Sequence, residues 1–120
     1  MILHDSHMKI TDPKFDLRPE TIESIFYMWR HTGDIRYRKW AWRIFLSIEK
    51  HCKSRYGYSG LTSVHTMEKN SNQPSFWMAE VLKYLYLIFD DAETMRLDKF
   101  VLSTEAHPFT IQQWKLYDMM

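Results

Sequence analysis

The stretch Phe76–Phe89 constrains this chain more than any other part of it. It reads Phe-Trp-Met-Ala-Glu-Val-Leu-Lys-Tyr-Leu-Tyr-Leu-Ile-Phe and is opened by Pro74-Ser75. Ser75 is expected to cap a helix here, with Phe76, Ala79, Leu82, Leu85 and Phe89 marking its main face. Trp77, Tyr86 and Ile88 make the helix apolar nearly all round, and such a helix should be buried on several sides. Its most apolar part, Val81–Phe89, is interrupted by Lys83 and is too short to span a bilayer.

Two amphipathic stretches precede it and can supply cover. Pro19 stands where a helix favours its first residue, since proline has a preset φ and no donor to lose. Ile22, Ile25, Phe26 and Trp29 then share one face. Gly33 is placed to end that helix and Asp34 to cap the next. The second helix is expected from about Ile35 to Cys52, with Tyr37, Trp40, Ala41, Ile44, Phe45 and Ile48 as its apolar stripe. The short link predicts an antiparallel αα-hairpin. Tyr56–Gly60 reads as a turn, Leu61–Thr66 as a short strand, and Glu68–Gln73 as a polar loop. Phe100–Leu102 reads as another strand, with Thr104–Pro108 as its tip.

Composition narrows the function classes. A length of 120 residues suits one small domain at most. With 5 Trp, 7 Tyr and 7 Phe the chain is rich in aromatics, which serve either a packed helical core or a stacking platform for sugars or bases. A net charge of +1 offers no field to attract nucleic acid or an anionic membrane. The basic group Arg36, Arg38, Lys39 and Arg43 is interleaved with Tyr37, Trp40 and Trp42, and is expected to be the solvated outer face of the second helix. Cys52 is the lone cysteine, so no internal disulfide can form. The start Met1–Asp5 lacks the apolar region of a signal peptide, so the chain is expected to carry no targeting segment of its own.

The acids carry the candidate chemistry. Glu20 falls in the first turn of a helix, where a carboxylate complements the macrodipole; that alone would account for it. Glu80 lies inside the most apolar helix and there needs a partner, a ligand or a cavity. An outward orientation, or a pair with Lys83 three residues on, would also satisfy it. Glu105 joins Thr104 and His107 in a compact polar group at a strand end. The 6 histidines, His4 and His7 among them, show no zinc spacing. His51 and Cys52 are helix neighbours that point apart. No glycine-rich phosphate loop is present.

Three stretches together resemble the class I α-mannosidases, glycoside hydrolase family 47. They are Leu17-Arg18-Pro19-Glu20-Thr21-Ile22-Glu23-Ser24, Ser75–Phe89, and Thr104-Glu105-Ala106-His107-Pro108, in the family's order and near its spacing. Thr32-Gly33-Asp34, Tyr37-Arg38, Trp40-Ala41-Trp42 and Gly57–Leu61 are also similar, so the resemblance covers nearly all of Lys9–Phe109. It implies a mainly α chain forming the C-terminal quarter of an (α/α)7 barrel, with a short β-hairpin near the C-terminus. Residues 1–120 would be one partial catalytic domain with no second domain. The helices bearing Glu20 and Glu80 would face the barrel axis, and the basic helix would lie outside.

The resemblance further implies inverting, Ca²⁺-dependent hydrolysis of α-1,2-linked mannose on high-mannose N-glycans, in the endoplasmic reticulum or Golgi lumen. On matching positions, Glu20 corresponds to a catalytic carboxylate often assigned as the base. Thr104 corresponds to the direct Ca²⁺ ligand, Glu80 and Glu105 to acids that hold waters and sugar hydroxyls, Arg18 to a pocket arginine, and Phe76 to the floor beneath the sugar. Trp77, Val81 and Ser103 depart from the usual Phe, Thr and Asn without removing any of these groups. The family's proton donor, a further essential carboxylate and its disulfide pair have no counterpart here and are expected upstream. A non-catalytic remnant that binds Ca²⁺ or glycan, and a degradation-enhancing mannosidase-like protein, are the alternatives; Ala106-His107-Pro108 is more like the glycan-processing branch.

The 120-residue chain alone is therefore expected to release no mannose from an α-1,2-linked oligosaccharide. Its exposed apolar helix should favour aggregation. Mannose release by the purified chain, followed chromatographically, would overturn that expectation.

Overall fold

In the computed structural model, residues 10–112 are described; His4 and His7 lie outside them. Helix α1 (Glu20–Thr32) and helix α2 (Ile35–His51) pack together across Gly33–Asp34. Gly33 adopts the left-handed φ of 65° expected after a helix and donates to the Trp29 carbonyl at 2.9 Å. Asp34 caps α2 by accepting from the Arg36 N–H at 2.9 Å. Pro19 stands just before α1, and its carbonyl accepts from the Glu23 N–H at 2.8 Å.

The third helical stretch departs from its expected geometry. Trp77–Leu82 is wound as a π-helix and continues directly as α3 (Lys83–Phe89). Ser75 is not a side-chain cap: the position before the π turn is Phe76, and no side chain bonds there. The buried face also differs. It consists of Trp77, Glu80, Val81, Tyr84, Leu85, Leu87 and Ile88, whereas Phe89 is exposed and Phe76, Ala79 and Leu82 are half-buried. The wider i→i+5 winding turns less per residue, so faces laid out at the α-helical period drift across it. Nor is the helix covered on every side. Met78 and Tyr86 stay 65% and 64% exposed, because α1 and α2 cover only part of it.

Four short strands complete the described residues. β1 (Leu61–Ser63) pairs antiparallel with β2 (Glu68–Lys69), so the expected strand is shorter and the expected polar loop begins as its partner. β3 (Phe100–Leu102) and β4 (Pro108–Thr110) form the C-terminal β-hairpin around Ser103–His107. Among the described residues, no helix is long and apolar enough to cross a membrane.

The core joins Ile22, Ile25 and Phe26 of α1 and Ala41 and Ile48 of α2 to the buried face of the third stretch. Phe26 and Tyr84 rings meet at 5.2 Å, and Tyr58 lies against Trp77 at 4.5 Å. Arginines then close the C-terminal end of α3. Arg30 of α1 donates to the carbonyls of Leu87, Ala92 and Thr94 at 3.0, 2.7 and 2.9 Å. Arg38 of α2 donates to the carbonyls of Ile88 and Asp90 at 2.8 and 3.3 Å, with its guanidinium over the Trp29 ring. Arg38 is thus half-buried and does not belong to a solvated basic face. The last carbonyls of a helix have no partner inside it, and a charged planar donor meets that need.

Arg38→Ala should lower stability by about 2 kcal/mol, the scale of hydrogen bonds to a charged group. Lys39→Ala, on the exposed side, should change it by less than about 0.5 kcal/mol. Urea denaturation followed by circular dichroism measures both, and equal effects would rule out the capping role.

Candidate functional site

The first edge of the site is set by pairing remote in sequence. Phe15 and Leu61 exchange backbone hydrogen bonds at 3.0 and 2.7 Å, and Val64 donates to the Pro13 carbonyl at 2.8 Å. This anchors the chain just before Leu17, which is fully buried and has a φ of 55°. A left-handed leucine is strained, and it persists because its side chain is locked in the core. The bend sends Arg18-Pro19-Glu20 into α1.

Arg18 and Glu20 then stand together. Arg18 Nη1 lies 3.6 Å from Glu20 Oε1, with both side chains more than half exposed. The Arg18 guanidinium also sits 5.8 Å from the Phe76 ring centre, linking the start of α1 to the start of the π turn.

Glu80 lies one π turn further along, at 5% exposure. Among the described residues no Lys, Arg or His forms a salt bridge with it. It does not point outward, and Lys83 is turned elsewhere: its Nζ donates to the Ala106 carbonyl at 2.8 Å. Burial raises the Glu80 pKa, and the charges of Glu23, Glu105 and Glu20 raise it further, with Lys83 opposing weakly. Three of the acids singled out from sequence are therefore electrostatically one cluster. The fourth member, Glu23, was not singled out. It stands one turn beyond Glu20 on α1, and that i, i+3 spacing was the available signal.

Beneath the cluster, Tyr84 is fully buried, and its hydroxyl faces Glu23 without closing a well-formed hydrogen bond. Burial pushes its pKa well up, and the charges of Glu23, Tyr27 and Glu80 add to this. Thr104 and Glu105 occupy the exposed tip of the β3–β4 hairpin. Ala106 follows, fully buried and left-handed at a φ of 57°. Ser103 closes the tip: its hydroxyl accepts from the His107 N–H at 3.1 Å, and its carbonyl accepts from the Ala106 N–H at 2.9 Å. Among the described residues, no group of three or more His, Cys, Asp or Glu is placed to hold a metal ion by itself.

The site is therefore a concentration of negative charge bordered by an arginine, an aromatic ring and an open hydroxyl. Such a surface suits a polyhydroxylated ligand or a hard cation, and two acids at its edge suit proton transfer.

Comparison with known proteins gives a consistent result. Residues 3–111 match the family described as glycosyl hydrolase family 47. The chain is 50% identical over 103 residues to mannosyl-oligosaccharide alpha-1,2-mannosidase IA of Drosophila melanogaster, covering 84% of this chain and 15% of that protein. It is also 50% identical over 95 residues to mannosyl-oligosaccharide 1,2-alpha-mannosidase MNS1 of Arabidopsis thaliana, covering 79% and 17%. Among solved structures, the alpha-1,2-mannosidase from Trichoderma reesei superposes with a TM-score of 0.74 at 40% identity, over 86% of this chain and 23% of that one. The chain thus spans between 15% and 23% of the length of these relatives.

The Glu80 environment sets a pH dependence. Folding raises its pKa, so its contribution to stability is fully present below the ordinary carboxylate range and is lost as pH rises through the raised value. Glu80→Gln removes that loss. The variant should exceed the parent in urea midpoint near neutral pH, and the two should converge below about pH 4, where an ordinary glutamate is protonated. Parallel pH profiles would contradict the burial of an ionisable Glu80.

Proposed function

The chain belongs to glycosyl hydrolase family 47, and we propose that it supplies the base-bearing and sugar-binding part of a mannosyl-oligosaccharide 1,2-α-mannosidase. In this reading its helices are part of an (α/α)7 barrel. The substrate is α-1,2-linked mannose on high-mannose N-glycans, met in the endoplasmic reticulum or Golgi lumen. The observation that carries the reading is Glu80: an acid at 5% exposure, within the field of three other carboxylates and without a salt-bridge partner among the described residues. Burial of this kind is costly unless a ligand completes it.

The residues also fit Ca²⁺. Thr104 offers a hydroxyl and a carbonyl oxygen at an exposed tip, and neither is engaged in a hydrogen bond among the described residues. The nearby acids are hard oxygen donors whose mutual repulsion a cation relieves. Thr104 would hold the ion directly, while Glu23, Glu80 and Glu105 would reach it through water. When bound, the ion supplies fixed positive charge for sugar hydroxyls.

Hydrolysis with inversion needs a base for water on one face of the sugar and an acid for the leaving oxygen on the other. Glu20 takes the proton from water as the new C1–O bond forms and the glycosidic C–O bond breaks. The leaving oxygen takes its proton from an acid outside this chain. Arg18 orients Glu20 through their contact at 3.6 Å. Phe76 gives the apolar face of the sugar a surface, and Glu80 and Glu105 accept from its hydroxyls.

A graft tests this. Residues 10–112 replace the matching segment of the Trichoderma reesei enzyme, which supplies the remaining domain. The folded graft should release mannose from an α-1,2-linked substrate and lose activity to a calcium chelator. Glu20→Gln should cut kcat by about 100-fold or more, the scale of a lost general base, with little change in KM. A graft with native circular dichroism but no mannose release would sink the reading.

A further inference from the structure

We propose that Lys83 is a positioning residue that holds the hairpin tip, and with it Thr104 and Glu105, against the helix that carries Glu80. Lys83 is the first residue after the π turn, three positions beyond Glu80. A glutamate and a lysine at that spacing ordinarily pair along a helix. Here the ammonium instead donates to the Ala106 carbonyl at 2.8 Å in a half-buried setting. Among the described residues, no other hydrogen bond joins Ser103–His107 to the chain outside the hairpin.

The acceptor is not an ordinary loop carbonyl. Ala106 is fully buried and left-handed, a conformation that costs a residue with a Cβ and needs outside support. The donor is charged, and such bonds are the stronger kind. One ammonium therefore does two things. It holds the left-handed Ala106 in place, and it leaves Glu80 without its helical partner and open to an incoming ligand. Had Lys83 paired with Glu80, both the tip and the free carboxylate would be lost.

The inference rests on the proposed calcium site only for its second readout. Hydrogen exchange and calcium titration are compared in the full chain for the parent, Lys83→Met and Lys83→Arg. In Lys83→Met, exchange across residues 103–107 should quicken by about tenfold, the scale of one charge-assisted bond. Exchange in α1 should stay as in the parent, and calcium affinity should fall by about tenfold. Lys83→Arg retains a charged donor and should restore both. Unchanged tip exchange in Lys83→Met, or quickening shared equally by α1 and α2, overturns the proposal. A parent chain that takes up no calcium refutes the cation reading, and tip exchange alone then decides for or against Lys83. Should Lys83→Met fail to fold by circular dichroism, Lys83→Gln carries the same comparison.

Discussion

The seat of Glu80 against α1 depends on how the end of α3 is closed. The helix is seven residues long, too short to stand by propensity alone. Its last turn contains no basic residue. Arg30 and Arg38 reach it from two other helices and bond the carbonyls from Leu87 to Thr94. Each also stacks on an aromatic of α1, Phe26 or Trp29. Those contacts fix α3 against α1, and hence Glu80 relative to Glu20 and Glu23. Where a helix lacks its own cap, tertiary arginines set its position as well as its stability.

The π turn does the complementary work at the other end. A wider turn places Trp77, Glu80 and Val81 on the buried side together. Such irregular windings are less stable than the α-helix and often accompany function. Here the irregularity brings a carboxylate inward between apolar neighbours, which hydrophobic packing alone would resist. The same winding brings Lys83 round to meet Ala106.

Much of this was legible from residues alone, and the failures share a cause. Gly33 and Asp34 act locally, through a positive φ and a side-chain cap, and each behaves as expected. The strand Phe100–Leu102 and the tip after it were also readable, whereas the return strand Pro108–Thr110 was expected only from the family resemblance, and Pro108 had been placed in the tip. Arg38 was assigned to solvent, yet it turns inward to carbonyls fifty residues away, a need invisible in its own helix. Ser75 and the face Phe76–Ala79–Leu82–Leu85–Phe89 were read with an α-helical period that the backbone does not follow. Glu80 stood out by type and position, whereas Glu20 was singled out only by the family resemblance. Glu23 was passed over because a first-turn acid looks ordinary until Tyr84 and Glu80 are seen to feel its charge.

Leu17 sets opposite demands on one position. Its backbone is left-handed, which favours glycine, and its side chain is fully buried, which favours bulk. Glycine would ease the torsion and open a void; a β-branched residue would fill the space and worsen the torsion. No natural side chain satisfies both at once. The corner that delivers Arg18-Pro19-Glu20 is therefore a compromise sustained by its surroundings, and improving its local stability in either direction would shift the very acid it serves.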